Sequence, residues 1–367
     1  MRIIHCADLH LDSPLSANLP KEKARERRNE LLITFQNMLK FAVRSRVRAV
    51  LIAGDLFDTN HISAHCRDIV LGALRDYSMI DFYYLKGNHD KNDLFAGIHE
   101  LPENLHMFGG DWTEYRLTDG GRYPVVITGA ELSADNAGRI YSGLLLPQQA
   151  FNIVMLHGQE AEKEEPGSGD VIGIRSLRGK NIDYLALGHI HQFKQAQLDA
   201  RGIYCYPGCL EGRGFDECGE HGFVLLDINT DTQDYTAELV PGGGRLIARE
   251  EADVSECADA SEVAALVRAQ LARKGYPESS MLKLVLTGEI DADLQIDTDY
   301  LEKLLAPDFY FVKTEDQTTV RIDYDAYMTD LSLKGEFVRT VRAADLPEDV
   351  AARVIRTGFA TLAGGDL

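Results

Sequence analysis

No apolar run in this 367-residue chain approaches the roughly 20 residues that a helix needs to cross a bilayer. The start, Met1-Arg2-Ile3-Ile4-His5-Cys6, has no apolar leader before its first motif, so a cytoplasmic protein with no membrane attachment is expected. Cysteine is scarce. Six residues are scattered along the chain without the spacing of a disulfide framework, so reduced, mostly buried thiols are expected. Cys205, Cys209 and Cys218 lie nearer one another, but they lack the paired short repeats of a structural zinc site. Positive charge is short as well: 38 Lys and Arg stand against 58 Asp and Glu, a formal net charge of -20. That balance excludes capture of nucleic acid by overall attraction alone. Residues 1–50 run against it, with ten basic side chains (Arg2, Lys21, Lys23, Arg25, Arg27, Arg28, Lys40, Arg44, Arg46, Arg48) against five acids (Asp8, Asp12, Glu22, Glu26, Glu30). The stretch Lys21 to Arg28 could face a polyanion, yet Glu22 and Glu26 interleave, and a solvated helix start with i,i+4 pairs is the preferred reading. Internal repeats and low-complexity tracts are absent from the sequence.

What is present begins with an apolar fraction of 45%, enough for real cores in a chain long enough for a catalytic domain and a smaller one. Strand and helix patterns alternate early: Arg2 to Ala7 a strand, Lys21 to Arg44 a helix, Ala49 to Ala53 a strand, Ala64 to Asp76 a helix, Phe82 to Leu85 a strand. Further strands are predicted at Tyr123 to Thr128, Phe151 to Leu156, Tyr184 to Leu187 and Phe223 to Ile228, with turns at Asp119-Gly120-Gly121 and Pro166-Gly167-Ser168-Gly169. The pattern suggests a layered α/β sandwich. Pro241-Gly242-Gly243-Gly244 marks a hinge. Beyond it, helices at Ser261 to Lys274 and Asp299 to Leu305 and strands at Met281 to Leu286, Phe309 to Val312 and Val320 to Tyr324 predict a small α+β domain. Apolar residues at helical spacing (Val350, Val354, Ile355, Phe359, Leu362) follow Leu346-Pro347-Glu348-Asp349 in the tail, which would dock on the protein itself or on a partner. The expected divisions are residues 1–240, 245–326 and 327–367.

Metal-capable side chains fall in five short clusters, each just after a predicted strand: Asp8 with His10, Asp55, Asn88 with His89, His157, and His189 with His191. Loops after neighbouring strands converge on one edge of a sheet, where a pocket can form. Mixed carboxylate, amide and imidazole donors suit Mn(II), Fe(II) or Zn(II) better than calcium or magnesium. Two such ions can share a bridging carboxylate and clamp a phosphate ester. Asp55, in Gly54-Asp55-Leu56-Phe57-Asp58, is the natural bridge. Asp8, His10 and one late histidine would complete one ion's shell, and Asn88, His157 and the other late histidine the second. Asp8 and His10, like His189 and His191, are two apart, and an extended backbone would point both of each pair the same way. His89 is better read as a general acid than as a ligand, with Asp90 orienting its ring. Asp58 is a candidate acceptor behind the ligands. Arg213, among glycines, is a candidate phosphate contact whose plain alternative is a salt bridge. His5 is expected to be a buried core histidine, and His61 and His65 to lie on a surface helix.

Asp8-Leu9-His10, Gly54-Asp55, Gly87-Asn88-His89-Asp90, His157-Gly158 and Gly188-His189-Ile190-His191 resemble, complete and in order, the signature of calcineurin-like metallophosphoesterases. More narrowly, His5 to Pro14, Gly54 to Asp58 and Tyr206-Pro207-Gly208-Cys209-Leu210-Glu211-Gly212-Arg213-Gly214-Phe215-Asp216-Glu217 resemble SbcD-like DNA-repair exonuclease subunits, especially the YhaO-type group. The likeness is strong over the catalytic half and only in outline over the last third. It implies a four-layer α/β sandwich with a smaller α+β capping domain and a helical C-terminal tail. It also implies a manganese-dependent 3′ to 5′ exonuclease and endonuclease of double-strand-break repair, working as a homodimer with an SMC-like ATPase. By the same resemblance Asp8, His10, Asp55 and His191 hold one metal, Asp55, Asn88, His157 and His189 the other, and His89 acts on the leaving group. The acidic balance keeps a phosphoesterase for a small molecule or nucleotide as an alternative. An assembly subunit with a vestigial site is another, which the intact ligand set opposes.

Overall fold

Alternation along the first strand sets the layering. Ile4 and Cys6 point into an apolar cluster with two helices, while Ile3 points the other way, into a cluster shared with a second sheet. The computed structural model describes residues 1–15, 19–58, 62–90, 101–163, 165, 167–291, 294–321 and 324–362. His61 and Pro166, named above, lie outside them. The chain divides into two compact units, Met1–Gly244 and Arg245–Leu367.

The first unit opens with β1 (Arg2–Cys6), α1 (Lys21–Arg44), β2 (Ala49–Ala53), α2 (Ala64–Asp76), β3 (Asp81–Leu85), β4 (Leu105–Met107), β5 (Thr113–Leu117) and β6 (Val125–Gly129). It continues through β7 (Phe151–His157), β8 (Gln159–Ala161), β9 (Val171–Gly173), α3 (Ile174–Leu177), β10 (Tyr184–Gly188), β11 (Lys194–Gln197), β12 (Ile203–Tyr206), β13 (Gly222–Ile228) and β14 (Tyr235–Pro241). One six-stranded sheet has the order β14-β13-β1-β2-β3-β4, and a second has β11-β12-β10-β7-β6-β5. Within them β1, β2 and β3 are parallel neighbours, as are β6, β7, β10 and β12. Ile3, Leu51, Tyr83, Ile127, Phe151, Ile153 and Tyr184 fill the space between the sheets. Outside the first sheet, Leu31, Phe35, Met38 and Leu39 of α1 and Val70 and Leu74 of α2 cover Ile4, Val50, Ile52 and Phe82. Outside the second, Ile140, Tyr141, Ile174 and Leu177 cover Val154, Leu156 and Leu187. Helix, sheet, sheet and an outer cover make the four layers that the resemblance implied.

At the start of α1, Lys21, Glu22, Arg25 and Glu26 are exposed and Lys23 pairs with Glu26, as the solvated reading expects, and Arg27 departs from both readings. Arg27 is fully buried, ion-paired with Glu30 and with Glu211 at 2.8 Å, and it donates to the Gly212 carbonyl at 2.6 Å. It therefore cannot face a polyanion. It anchors the loop after β12 instead. His5 is buried as expected: its Nδ1 lies 2.9 Å from the Tyr184 hydroxyl, so the pair links the two sheets through their shared core. His65 is exposed on α2.

The second unit carries β15 (Ile247–Asp253), α4 (Ala260–Lys274), β16 (Met281–Thr287), β17 (Glu289–Asp291), α5 (Thr298–Leu305), β18 (Phe311–Asp316), β19 (Thr319–Arg321), α6 (Tyr324–Thr329), α7 (Leu333–Ala343) and α8 (Glu348–Leu362). A parallel sheet β15-β16-β18 packs on α4 and α5 around Val263, Val267, Leu284, Leu286 and Leu301. The tail docks within this unit: Ile355 and Phe359 of α8 pack with Val338 and Val341 of α7, against Val320 and Tyr324. Residues 245–326 and 327–367 thus lie in one compact unit.

Candidate active site

Five parallel strands end at the same edge of the two facing sheets, and each delivers a side chain there. Asp8 follows β1, Asp55 follows β2, Asn88 follows β3, His157 closes β7 and His189 follows β10. Gly188 pairs with His157 in register, which sets His189 beside it. The loops are laced together by backbone bonds from Asp8 N–H to the Gly54 carbonyl (3.1 Å) and from His10 N–H to the Asp55 carbonyl (3.0 Å). The Asp8 carboxylate accepts the His189 N–H (3.0 and 2.9 Å), and Asp55 Oδ1 accepts the His89 N–H (2.9 Å).

The backbone here is not extended, contrary to the two-residue spacing argument. Asp8 (φ 51°), His10 (φ 44°), Asp55 (φ 50°) and His189 (φ 105°) all have positive φ. For non-glycine residues this is strained, and the interlocked loops impose it. Tight left-handed turns, rather than a continued pleat, bring both members of each pair to the pocket.

The side chains form two groups that share Asp55. In the first, His10 Nε2 lies 3.2 Å from His191 Nε2 and 3.8 Å from Asp55 Oδ2, and His191 Nε2 lies 4.0 Å from Asp8 Oδ1. In the second, Asn88 Oδ1 lies 2.9 Å from His157 Nε2 and 3.2 Å from His189 Nδ1, with His157 Nε2 3.4 Å from Asp55 Oδ2. Asp8, His10, Asp55 and His157 are the buried floor, and Asn88 and His89 the exposed rim. Asp8, Asp55 and His157, like Asp8, His10 and His191, bring ligand atoms within 4.8 Å of one another.

Whether these residues fit a metal is decided by the far side of each ring. His157 Nδ1 lies 2.9 Å from the Ala53 carbonyl, His191 Nδ1 2.6 Å from Glu217 Oε1, and His10 Nδ1 3.4 Å from Asp58 Oδ1. For His157 and His191 an acceptor takes Nδ1–H and turns the Nε2 lone pair inward, the arrangement by which proteins orient metal-binding imidazoles, whereas His10 Nδ1 faces the Asp58 carboxylate without a hydrogen bond. The residues fit divalent ions. The charges agree: burial pushes Asp8 up to about 6, whereas Asp55, despite its burial, is held at about 2 by the neighbouring His157 and His10. His157 is raised to about 9 because Asp55 and Asp8 outweigh its burial, and burial lowers His10 to about 4. Cations are thus favoured at the shared carboxylate, and an entering metal ion would displace the His157 proton.

His89 stands at the rim, with Nδ1 3.1 Å from Asp58 Oδ1. The carboxylate facing its ring is therefore Asp58, and the orienting role expected of Asp90 is corrected. Asp90 is buried and takes backbone N–H groups from Leu56 (3.2 Å), Phe57 (3.0 Å) and Gly87 (3.0 Å), pinning the Asp55 and Asn88 loops to each other. Arg213 is likewise engaged inside the protein, with Glu217 at 2.8 Å and Asp58 at 3.3 Å, so it has the salt bridges of its alternative reading, in the site rather than on the surface. Sequence reasoning quoted Glu217 but gave it no role. Its place four residues after Arg213, in a tract otherwise rich in glycine, was the available signal. Cys209 faces His221 Nδ1 at 3.2 Å, and none of the cation-binding groups among the described residues contains cysteine.

The family model for calcineurin-like phosphoesterases matches residues 1–193. The chain is similar to the uncharacterized metallophosphoesterase YhaO of Bacillus subtilis, 29% identical over 302 residues that cover 78% of this chain and 72% of that one. It is also similar to the DNA double-strand break repair protein Mre11 of Aeropyrum pernix, 25% identical over 252 residues, covering 63% of this chain and 58% of that protein's length. Among solved structures, TT1561 of Thermus thermophilus aligns with a TM-score of 0.43 at 13% identity, over 65% of this chain and 98% of that one.

Proposed function

The chain belongs to the calcineurin-like phosphoesterase family, and on that premise we propose that it is a two-metal phosphodiesterase acting on DNA. The observation that carries this reading is the pair of donor groups sharing Asp55, with the inward-facing nitrogens of His157 and His191 fixed from behind. Asp8, His10, Asp55 and His191 would hold one ion, and Asp55, Asn88, His157 and His189 the other. The donor chemistry suits Mn(II), with Fe(II) or Zn(II) also acceptable. Two such ions supply positive charge to a phosphate ester and a nucleophile at neutral pH. The protein's part is orientation and proton transfer. Because Asn88 and His89 form the exposed rim, the phosphate enters from their side. Asp58 holds His89 by Nδ1, so Nε2 is the atom that gives its proton to the leaving oxygen as the P–O bond breaks.

The nuclease assignment rests on the similarity to Mre11 and on the tract Tyr206 to Glu217. It includes 3′ to 5′ exonuclease and endonuclease action, a homodimer and an SMC-like ATPase partner. The net charge of -20 favours a second reading, a phosphoesterase for a small molecule or nucleotide. If DNA is the substrate, that charge has to be offset by the metals' own positive charge, by the basic N-terminal stretch or by a basic ATPase partner, and on the last of these the isolated chain should cut weakly and bind more tightly with the ATPase. End-labelled single- and double-stranded DNA, incubated with Mn(II) beside bis-p-nitrophenyl phosphate, decides between the readings. Cleavage of DNA lost in His89→Ala supports the nuclease. Turnover of the small diester with DNA intact, even after the ATPase is added, supports the small-substrate enzyme.

A further inference from the structure

Behind the first donor group lies a chain of charged side chains, Glu217, Arg213 and Asp58, of which the proposed chemistry gives a task to Asp58 alone. Glu217 is buried, 4% exposed. Its Oε1 lies 2.6 Å from His191 Nδ1 and accepts from Arg213 Nε (3.1 Å) and Nη2 (2.8 Å). Its Oε2 accepts the Arg213 backbone N–H at 2.7 Å, and its own carbonyl lies 2.7 Å from His221 Nε2. Arg213 Nη1 then reaches Asp58 Oδ2 at 3.3 Å, an oxygen that also takes the Ser13 hydroxyl at 2.7 Å. The other Asp58 oxygen faces His10 Nδ1 (3.4 Å) and His89 Nδ1 (3.1 Å). Carboxylate, guanidinium and carboxylate thus run in series behind three imidazoles.

We propose that Glu217 is a positioning residue that fixes the orientation and tautomer of His191 for the first metal, and that Arg213 couples it to Asp58 and so to His10 and His89. The inference rests on the two-metal reading of the site. Two carboxylates set behind neighbouring histidines repel each other, and the planar fork of Arg213 holds both at once, which an ammonium on a flexible stem does less well. A purely structural role for Glu217, pinning the loop that carries Cys209 and His221, would need no contact with His191. Yet the His191 contact is its shortest.

The test is a calorimetric titration of the metal-free full chain with Mn(II), on wild type, Glu217→Gln and Arg213→Lys, with thermal unfolding of each metal-free form and hydrolysis of bis-p-nitrophenyl phosphate at rising Mn(II). In Glu217→Gln one of the two Mn(II) affinities should fall by roughly 10- to 100-fold while the other is kept, and activity should return at high Mn(II). Arg213→Lys should weaken the same site by less. It also stands as the test if Glu217→Gln does not fold. Wild-type affinities at both sites in either folded variant would overturn the proposal, as would equal weakening of both. A wild type that binds one Mn(II), weakened by Glu217→Gln, would refute the two-metal reading and leave the role of Glu217 standing. A wild type that binds none would end both.

Discussion

Gly54→Ala places a methyl group where the structure has no room. Gly54 has φ +94°, and an added Cβ would lie 2.1 Å from His157 Nδ1, 2.6 Å from its Cγ and 2.9 Å from its Cε1. The ring cannot simply swing away, because His157 is buried and an ideal Cβ at Gly188 would also lie within 2.8 Å of its Nδ1. Left-handed backbone on a residue with a Cβ costs roughly 1–2 kcal/mol. Overpacking adds about 1–3 kcal/mol, and loss of the bond between Nδ1 and the Ala53 carbonyl about 1 kcal/mol. The sum is roughly 3–6 kcal/mol, a large share of a typical domain's stability. Gly120→Ala is the matched control, since Gly120 has φ +88° with no atom within 4 Å of the new Cβ. It should cost only the backbone strain, about 1–2 kcal/mol. Urea unfolding of the metal-free forms measures both, and Mn(II) titration then asks whether a displaced His157 weakens the site it shares with Asn88 and His189. If Gly54→Ala is as stable as Gly120→Ala and its Mn(II) titration matches that of wild type, the packing of His157 on the Asp55 loop has been misread.

His89→Ala should lower kcat by roughly 10²- to 10⁴-fold with Mn(II) stoichiometry unchanged, and Asp58→Asn should move kcat the same way; single-turnover hydrolysis of the small diester checks both. The fully buried His5 is driven down to about 3 by burial, from an ordinary 6.5. Its folded pKa lies below its unfolded one, so its share of stability is complete above 6.5 and is lost as pH falls from 6.5 toward 3. From pH 7 to 5 this amounts to about 2 kcal/mol, read as the difference in pH dependence of urea unfolding between wild type and His5→Gln. Phe359, 1% exposed and 5.5 Å from the Tyr327 ring, should cost the second unit about 3–5 kcal/mol when changed to Ala, measured by chemical denaturation.

Long elements with clear periodicity were legible from sequence. Lys21 to Arg44 and Ala64 to Asp76 were read with the bounds that α1 and α2 have, because their apolar residues recur at helical spacing over several turns. Ile247–Asp253 was missed as β15: its run of charge at Arg249, Glu250 and Glu251 resembles a loop, and only pairing with β16 reveals the buried alternate positions. The short strands β4, β8, β9 and β11 were missed because three or four residues are too few to show a period, and β5, β12 and β14 were missed as well. In the site, the order of the clusters was legible because each ligand follows a buried strand. The acceptors behind them were harder to see. Arg213 meets Asp58 across 155 positions and His191 meets Glu217 across 26, and pairing at that range comes from the fold. The positive φ at Asp8 and His10 was hidden too, since nothing in Asp8-Leu9-His10 marks a left-handed turn.

The most direct test of the shared-carboxylate site is to titrate the metal-free chain with Mn(II) while following hydrolysis of bis-p-nitrophenyl phosphate. Activity should stay low through the first equivalent, rise with the second and level off at two ions per chain. Full activity at one ion per chain, or none at any ratio, would contradict the account.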